Sequence, residues 1–338
     1  MQARTVAEVL PTHTFDLFQA AVKRAADLLR GGEVVALPTE TVYGLAANAL
    51  DVKAVAKIYE IKGRPAHNPI IVHVANVEMA TKCVAAWPSP AEQLATSFWP
   101  GPLTMVLPKA KTIPDLVTAG GLTVGVRWPS HPFIQAVIRE CGFPLAAPSA
   151  NPSNQVSPTN VEHVRKQLGG KLRLIVDGGQ SQVGIESTVI DLTTEPATVL
   201  RPGMIHEESL IAVTGDLVGF QKMTQRGGGA LRSPGLLAKH YAPKAKLMVL
   251  GWRDAAELKS RITRHASRIH VIAHTHIPSG ESFASVSVIP HDAEAFARAI
   301  YAELHRCDEA GAELIVVEAL PDAPAWRAIA DRLQRAAV

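Results

Sequence analysis

The sequence predicts an α/β protein in two parts: an N-terminal twisted mixed sheet with flanking helices, and a smaller C-terminal doubly wound, Rossmann-like α/β unit. Three observations carry this. Short apolar runs are separated by helical patterns along most of the chain, as α/β folds require. In the first part several strand candidates follow one another directly, which favours a mixed over a purely parallel sheet. Between the parts, Leu217 to Arg253 holds no acidic residue. That stretch carries Lys222, Arg226, Arg232, Lys239, Lys244 and Lys246, the run Gly227-Gly228-Gly229 and two prolines, and is too irregular for an ordinary connection. The expected division is 12–216 for the first domain, 217–246 for a basic linker and 247–338 for the second domain.

The elements follow in order. Phe18, Ala21, Val22, Ala25, Leu28 and Leu29 share one face, so Phe15 to Arg30 is a helix, ended by Gly31-Gly32. Glu33 to Leu37 is a strand, Asp51 to Ile61 a helix, Ile70 to Val74 a strand and Val77 to Ala86 a short helix. Ser89-Pro90-Ala91-Glu92 has the form of a capping box, which starts a helix running to Phe98. Leu103 to Leu107 and Thr123 to Trp128 are strands. In the latter, Val124 and Val126 face one side and Gly125 and Arg127 the other. Glycine beside a cation suggests close approach of a ligand, although an arginine in a strand is also read as a solvated one. His131 to Cys141 is a helix and Leu145 to Ala147 a strand. Thr159-Asn160-Val161-Glu162 reads as a second capping box, for a helix to Leu168. Leu172 to Val176, Thr188 to Leu192 and Thr198 to Leu200 are strands. In the second part the strands are Leu247 to Leu250, Ile269 to Ala273, Val286 to Ile289 and Leu314 to Glu318. The helices are Asp254 to His265, Asp292 to Arg306 and Ala323 to Arg335. No nucleotide-binding glycine fingerprint occurs there, and His274 and His276 read as a surface loop pair.

The chemistry concentrates on loops of the first part. Pro38-Thr39-Glu40-Thr41 offers hydroxyls, and Lys62-Gly63-Arg64-Pro65 offers fixed cations on a stiff turn. With Asn68, His73, Arg127, Ser149, Asn151, Ser187 and Arg201 they form the inventory of a site for phosphates and a small zwitterion. Simpler readings stand beside this one. Lys62 and Arg64 also fit a solvated pair, His73 a core histidine between Val72 and Val74, and Ser149 and Asn151 turn formers around Pro148 and Pro152. No Ser-His-Asp order or thiol–histidine pair stands out, which suits a reaction run by positioning and charge neutralisation. Net charge is only +3, so the whole molecule is not a strongly basic nucleic-acid binder. Cys83, Cys141 and Cys307 lie far apart, which argues against a disulfide framework or a structural zinc site. With no apolar leader and no run of ~20 apolar residues, a cytoplasmic protein without a membrane partner is expected.

Several ordered segments resemble one family. They are Pro38-Thr39-Glu40-Thr41-Val42-Tyr43-Gly44-Leu45, Lys62-Gly63-Arg64-Pro65, Gly101-Pro102-Leu103-Thr104, Thr123 to Pro129, Ala147-Pro148-Ser149-Ala150-Asn151, Glu186 to Asp191 and Leu200-Arg201-Pro202-Gly203. Ser233-Pro234-Gly235 and His240-Tyr241-Ala242-Pro243 match its long form. The chain is similar to the YrdC-like threonylcarbamoyl-adenylate synthases with a C-terminal extension, and the first domain is therefore expected to be YrdC-like. One departure is at Asn154, where the family pattern S-x-A-N-x-S-G has glycine.

The resemblance implies a nucleotidyltransferase that condenses L-threonine, bicarbonate and ATP into threonylcarbamoyl-AMP, releasing pyrophosphate. The product would pass to the tRNA threonylcarbamoyl transferase complex, for the t6A modification of adenosine 37. Carried over by position, Lys62 and Arg64 are the catalytic cations. Threonine contacts fall at Thr41, His73, Arg127, Ala147 (backbone) and Ser187. ATP contacts fall at Arg64, Asn68, Thr123, Ser149, Ser157 and Arg201, with Tyr241 reaching in from the linker. Mg²⁺ would come with ATP, with no protein metal site and no permanent prosthetic group. The linker, basic and hinged at its glycines, is expected to act as a lid. The alternative reading is a non-catalytic RNA-binding module of the same fold, with weak RNA binding through the basic surface.

Overall fold

The computed structural model describes residues 6–220, 240–262, 268–279 and 283–337. The first unit begins with β1 (Glu8–Pro11), α1 (Phe15–Arg30), β2 (Val35–Leu37), β3 (Gly44–Asn48), α2 (Val52–Lys62) and β4 (Val72–His73). It continues through α3 (Val77–Cys83), α4 (Ser89–Phe98), β5 (Leu103–Pro108), β6 (Thr123–Arg127), α5 (Pro132–Cys141) and β7 (Leu145–Ala146). It ends with α6 (Val161–Leu168), β8 (Leu174–Asp177), β9 (Thr188–Asp191), β10 (Thr198–Arg201) and α7 (Glu207–Thr214). Its ten strands form one sheet in the order β1-β8-β2-β3-β7-β4-β6-β5-β9-β10. Pairs such as β4/β6 are parallel and pairs such as β5/β6 antiparallel, so the sheet is mixed as expected. One face packs α1 and α5, where Val22, Leu29, Phe133 and Val137 are buried. The other buries Leu45, Val72, Val126 and Ile190 with α2 and α4 residues such as Ile58 and Leu94.

The second unit holds β11 (Lys246–Leu250), α8 (Ala255–Arg261), β12 (Ile269–Ala273), β13 (Ser285–Val288), α9 (Ala293–Glu309), β14 (Leu314–Glu318) and α10 (Arg327–Ala336). The four strands are all parallel, in the order β11-β14-β12-β13. α9 and α10 cover one face and α8 the other, so both faces are buried, as a parallel sheet demands.

Local chemistry explains where expectation and structure part. The box at Ser89–Glu92 does not form: Ser89 is already helical, Pro88 caps without a side-chain bond, and Glu92 accepts from Trp87 Nε1 at 2.6 Å. The box at Thr159–Glu162 shifts by one residue, because Asn160 caps α6 by accepting from the His163 amide. Pro324 opens a short 3₁₀ turn, Pro324–Trp326, ahead of α10. β1, β3 and α7 have no counterpart among the elements the sequence predicts. β3 reads Gly-Leu-Ala-Ala-Asn and lacks β-branched residues; pairing to β2 and β7 makes it a strand. The histidine pair is not simply a surface loop. His274 is buried with Nδ1 2.7 Å from His291 Nδ1, while His276 pairs with Glu318 at 2.8 Å. Of the expected linker, residues 221–239 lie outside the described residues, including Gly227–Gly229 and Ser233–Gly235.

The units meet through α9 and α10. Gly184 approaches α9 so closely that a Cβ would lie 2.4 Å from the Ala297 carbonyl oxygen. His163 of α6 stacks on His305 of α9 with ring centroids 3.9 Å apart.

Candidate active site

A cleft of about 540 Å³, partly open to solvent, lies over the middle of the mixed sheet. Thr39 and Thr41 enter from the turn after β2, His73 from β4, Arg127 from the end of β6 and Ala147 and Ser149 from the loop after β7. Ser187 stands just before β9 and Arg201 ends β10. Register explains part of the convergence: β4 lies beside β6 with His73 opposite Arg127. The sequence leaves Arg127 as either a ligand contact or a solvated residue; the structure buries it.

One end of the cleft is built around Arg127. Its Nη2 lies 2.7 Å from Glu40 Oε1, and its Nη1 donates to Thr41 Oγ1 at 3.0 Å. Burial would raise the pKa of Glu40, but the Arg127 guanidinium outweighs it and holds the carboxylate below its ordinary value. His73 is buried and neither ring nitrogen makes a well-formed hydrogen bond. Burial, then the charge of Arg127, pushes its pKa well below the ordinary value, so the imidazole is neutral.

The other end carries the remaining cations. Arg201 Nη2 donates to Ser187 Oγ and its Nε to the Ser187 carbonyl, both at 3.0 Å, and Ser187 Oγ also lies 2.8 Å from Thr104 Oγ1. In Leu200-Arg201-Pro202-Gly203 the glycine is required by packing, since a Cβ there would lie 2.3 Å from the Thr188 amide nitrogen. Arg64 lines the cleft and clasps its own loop, Nε donating to the Asn68 carbonyl at 2.9 Å and Nη2 to Asn68 Oδ1 at 2.8 Å. Burial lowers its pKa to about 10, which leaves it protonated at neutral pH. His240 and Tyr241, at the far end of the expected linker, complete the wall.

Nine expected site residues therefore share one cleft: Thr41, Arg64, His73, Arg127, Ala147, Ser149, Ser187, Arg201 and Tyr241. Four stand elsewhere. Lys62 is buried behind the wall, donating to the carbonyls of Ser149 and Asn151. Its pKa is drawn well below the ordinary amine value by burial and then by Arg64. Asn68 serves Arg64 as described, and Ser157 donates to Glu186 Oε1 at 2.6 Å. Thr123 lines a small neighbouring cavity with Ile71, Thr104 and Gly125. Asn154 takes φ 67°, the left-handed conformation that asparagine tolerates in place of glycine, so the loop keeps its turn.

Sequence reasoning missed four charged or phenolic groups of this site. Glu40 and Glu186 lie within motifs whose pattern assigns them no role, and Tyr301 and Arg332 come from the C-terminal unit. Tyr301 and Arg332 both reach Glu186 Oε2 at 3.0 Å. The one legible signal was Glu186 itself, a carboxylate next to an otherwise cationic and hydroxyl-bearing set.

Comparison with known proteins agrees with this geometry. The Sua5/YciO/YrdC family model, described as telomere recombination, matches residues 27–203. A second, described as threonylcarbamoyl-AMP synthase, C-terminal domain, matches residues 205–338. The chain is 39% identical to threonylcarbamoyl-AMP synthase of Pyrococcus abyssi, over 93% of each chain. It is 40% identical to that of Bacillus subtilis, over 94% of this chain and 92% of the other. The fold superposes on P. abyssi Sua5 complexed with L-threonine with a TM-score of 0.88 and 35% identity, covering 98% of both chains. With the cleft, both units and these relatives in agreement, the chain belongs to the Sua5/YciO/YrdC family, in the two-domain form of the threonylcarbamoyl-AMP synthases.

Proposed function

We infer that this chain is a threonylcarbamoyl-AMP synthase, a nucleotidyltransferase condensing L-threonine, bicarbonate and ATP into threonylcarbamoyl-AMP and pyrophosphate. The observation that carries this reading is the convergence of Arg64, Arg127 and Arg201 with the hydroxyls of Thr41, Ser149 and Ser187 on one cleft. Relatives matched over more than nine-tenths of their length bear that name. The proposed working units are residues 12–216, the linker 217–246 and residues 247–338.

The threonine subsite is proposed at Thr41, His73, Arg127, the Ala147 backbone and Ser187. Arg127, held by Glu40 and Thr41, receives the substrate carboxylate in its planar fork. Neutral His73 is too weak a base to draw a proton from an ammonium group, so it serves as a hydrogen-bonding partner of the amine. The triphosphate is proposed to lie against Arg64, Ser149, Arg201 and Tyr241. Lys62 and Asn68 act from behind by fixing Ser149 and Arg64, Ser157 bonds Glu186, and Thr123 lines the adjoining cavity.

Once its ammonium proton has passed to water, the threonine amine adds to the bicarbonate carbon, and water leaves, giving a carbamate. A carbamate oxygen then attacks the α-phosphorus as the bond to pyrophosphate breaks. The carbamate is already anionic, so the second step needs alignment and charge neutralisation more than a strong base. Among the described residues no group of three His, Cys, Asp or Glu side chains could enclose a metal ion. The two carboxylates at the cleft, Glu40 and Glu186, are each paired with an arginine. The donor set thus suits Mg²⁺ arriving on the triphosphate, which commonly holds that ion. We place the activity in the cytoplasm and its product with the tRNA threonylcarbamoyl transferase complex. Among the described residues no helix is long and apolar enough to cross a membrane.

The test is capture of labelled bicarbonate. Carbon label should enter a nucleotide product when ATP and L-threonine are both present. Label absent from every nucleotide, with the protein folded, would remove this reading.

A further inference from the structure

Arg332 sits in the last helix, 146 residues beyond Glu186, yet only 1% of it is exposed. Its guanidinium faces the first unit. Nε lies 3.0 Å from Glu186 Oε2, and Nη2 donates to the carbonyls of Pro202 at 2.9 Å and of Glu186 at 3.4 Å. These two carbonyls adjoin Ser187 and Arg201 in the chain. Nη1 is held by Asp331 at 3.0 Å, and the guanidinium lies 5.4 Å from the Tyr241 ring centroid. Tyr301 of α9 donates to the same Glu186 oxygen at 3.0 Å. Glu186 lines the cleft that also holds Arg64 and Arg201.

An unpaired carboxylate there would repel a polyanion and compete for the cations that must receive it. The proposed function puts a triphosphate in this cleft, and the inference rests on that reading. We propose that Arg332 is a positioning residue of the ATP site: it neutralises Glu186 and fixes the segments carrying Ser187 and Arg201, so the C-terminal unit completes the site. Supporting this, burial would raise the pKa of Glu186, but Arg332 first and then Arg201 outweigh it. Burial also opposes the charge on Arg332, and Tyr241, Glu186 and Asp331 outweigh that penalty.

The test uses the full chain with Arg332→Met, measuring initial rates against ATP at saturating L-threonine and bicarbonate. Leaving one member of a buried charge pair alone is costly, so the KM for ATP should rise about tenfold or more. The KM for L-threonine should rise by less than that for ATP, because Arg127 is held by Glu40 and Thr41, and of the proposed threonine contacts Ser187 is the one next to a carbonyl that Arg332 holds. Adding Glu186→Gln removes the stranded carboxylate and should bring the KM for ATP back to within about threefold of wild type. In Arg332→Met alone, the excess KM should shrink as pH falls from about 8 to about 5.5, because a buried carboxylate without its partner protonates more readily. The groups facing Glu186 in that variant are Ser157, Arg201, Lys62, His240, Tyr241 and Tyr301, with Asp331 beside the substituted position. A merely structural role would move neither the pH profile nor the rescue. If Arg332→Met does not fold, Arg332→Lys serves instead, and its KM rise must likewise vanish with Glu186→Gln. An unchanged KM for ATP, or a double variant no better than the single, overturns the inference while an active wild type leaves the parent reading standing. A wild type that turns over no ATP with L-threonine and bicarbonate overturns both.

Discussion

Glu40 Oε1 lies 2.7 Å from Arg127 Nη2, and both side chains are buried. The pair sets the direction of the guanidinium that is proposed to meet the threonine carboxylate. Glu40→Gln removes the charge but keeps the shape. Arg127 should then be held less firmly, and the KM for L-threonine should rise roughly five- to thirtyfold, the effect of ~1–2 kcal/mol. Arg127→Lys loses the planar fork and should cost at least as much. Titration of L-threonine into each variant checks this; unchanged affinity in both would place the carboxylate elsewhere.

Lys62 reads in the sequence as a phosphate contact, and we propose that it acts instead by holding the loop after β7. Its Nζ donates to the Ser149 and Asn151 carbonyls. Lys62→Met should leave those carbonyls without their donor and cost about 1–3 kcal/mol of stability. Activity should fall through displacement of Ser149, with a larger rise in the KM for ATP than for L-threonine. Denaturant unfolding and steady-state kinetics measure the two effects. Lost activity with full stability would make Lys62 a direct contact after all.

The His163–His305 stack predicts acid sensitivity. Burial, then the neighbouring His305, lowers the pKa of His163 to about 3, and burial also lowers that of His305. In the unfolded chain both titrate near about 6.5. Below that pH the unfolded chain binds protons that the folded chain refuses, so stability falls as pH drops. His163→Gln removes one such group. By about pH 5 it should have lost about 2 kcal/mol less than wild type, relative to neutral pH. Parallel stability profiles for the two proteins would show that His163 is not held neutral.

Gly184 has φ 83° and no room for a side chain against Ala297 and Arg298. Gly184→Ala should loosen the seat of α9 by about 1–3 kcal/mol. Because Arg332 and Tyr301 reach the cleft only while the units are docked, the KM for ATP should rise as well. Thermal unfolding and kinetics report this together, and a variant matching wild type in both would mean the contact relaxes without consequence.

The legible parts of the fold were those with strong local periodicity. Phe15–Arg30, Ile269–Ala273 and Leu314–Glu318 carry an unbroken apolar pattern, and the structure has those bounds. β3 was invisible because Ala46 and Ala47 carry no strand preference; its neighbours impose the pairing. In the cleft, strand alternation put Arg127 on the face opposite Val124 and Val126, and it lines the site. The same alternation puts Thr123 on the face of Arg127, but four residues along β6 carries it into the next cavity. Glu186 could not be paired in advance, because its partners Tyr301 and Arg332 lie 115 and 146 residues away. Packing between domains leaves no short-range trace in a single sequence.

The most direct measurement of the central claim is pyrophosphate release with each substrate omitted in turn. On the proposed function the cleft aligns an amino acid, a one-carbon acid and a triphosphate, so pyrophosphate should appear at full rate only with ATP, L-threonine and bicarbonate together. Release that is the same with L-threonine or bicarbonate left out, or ADP and phosphate as products, would contradict threonylcarbamoyl-AMP synthesis.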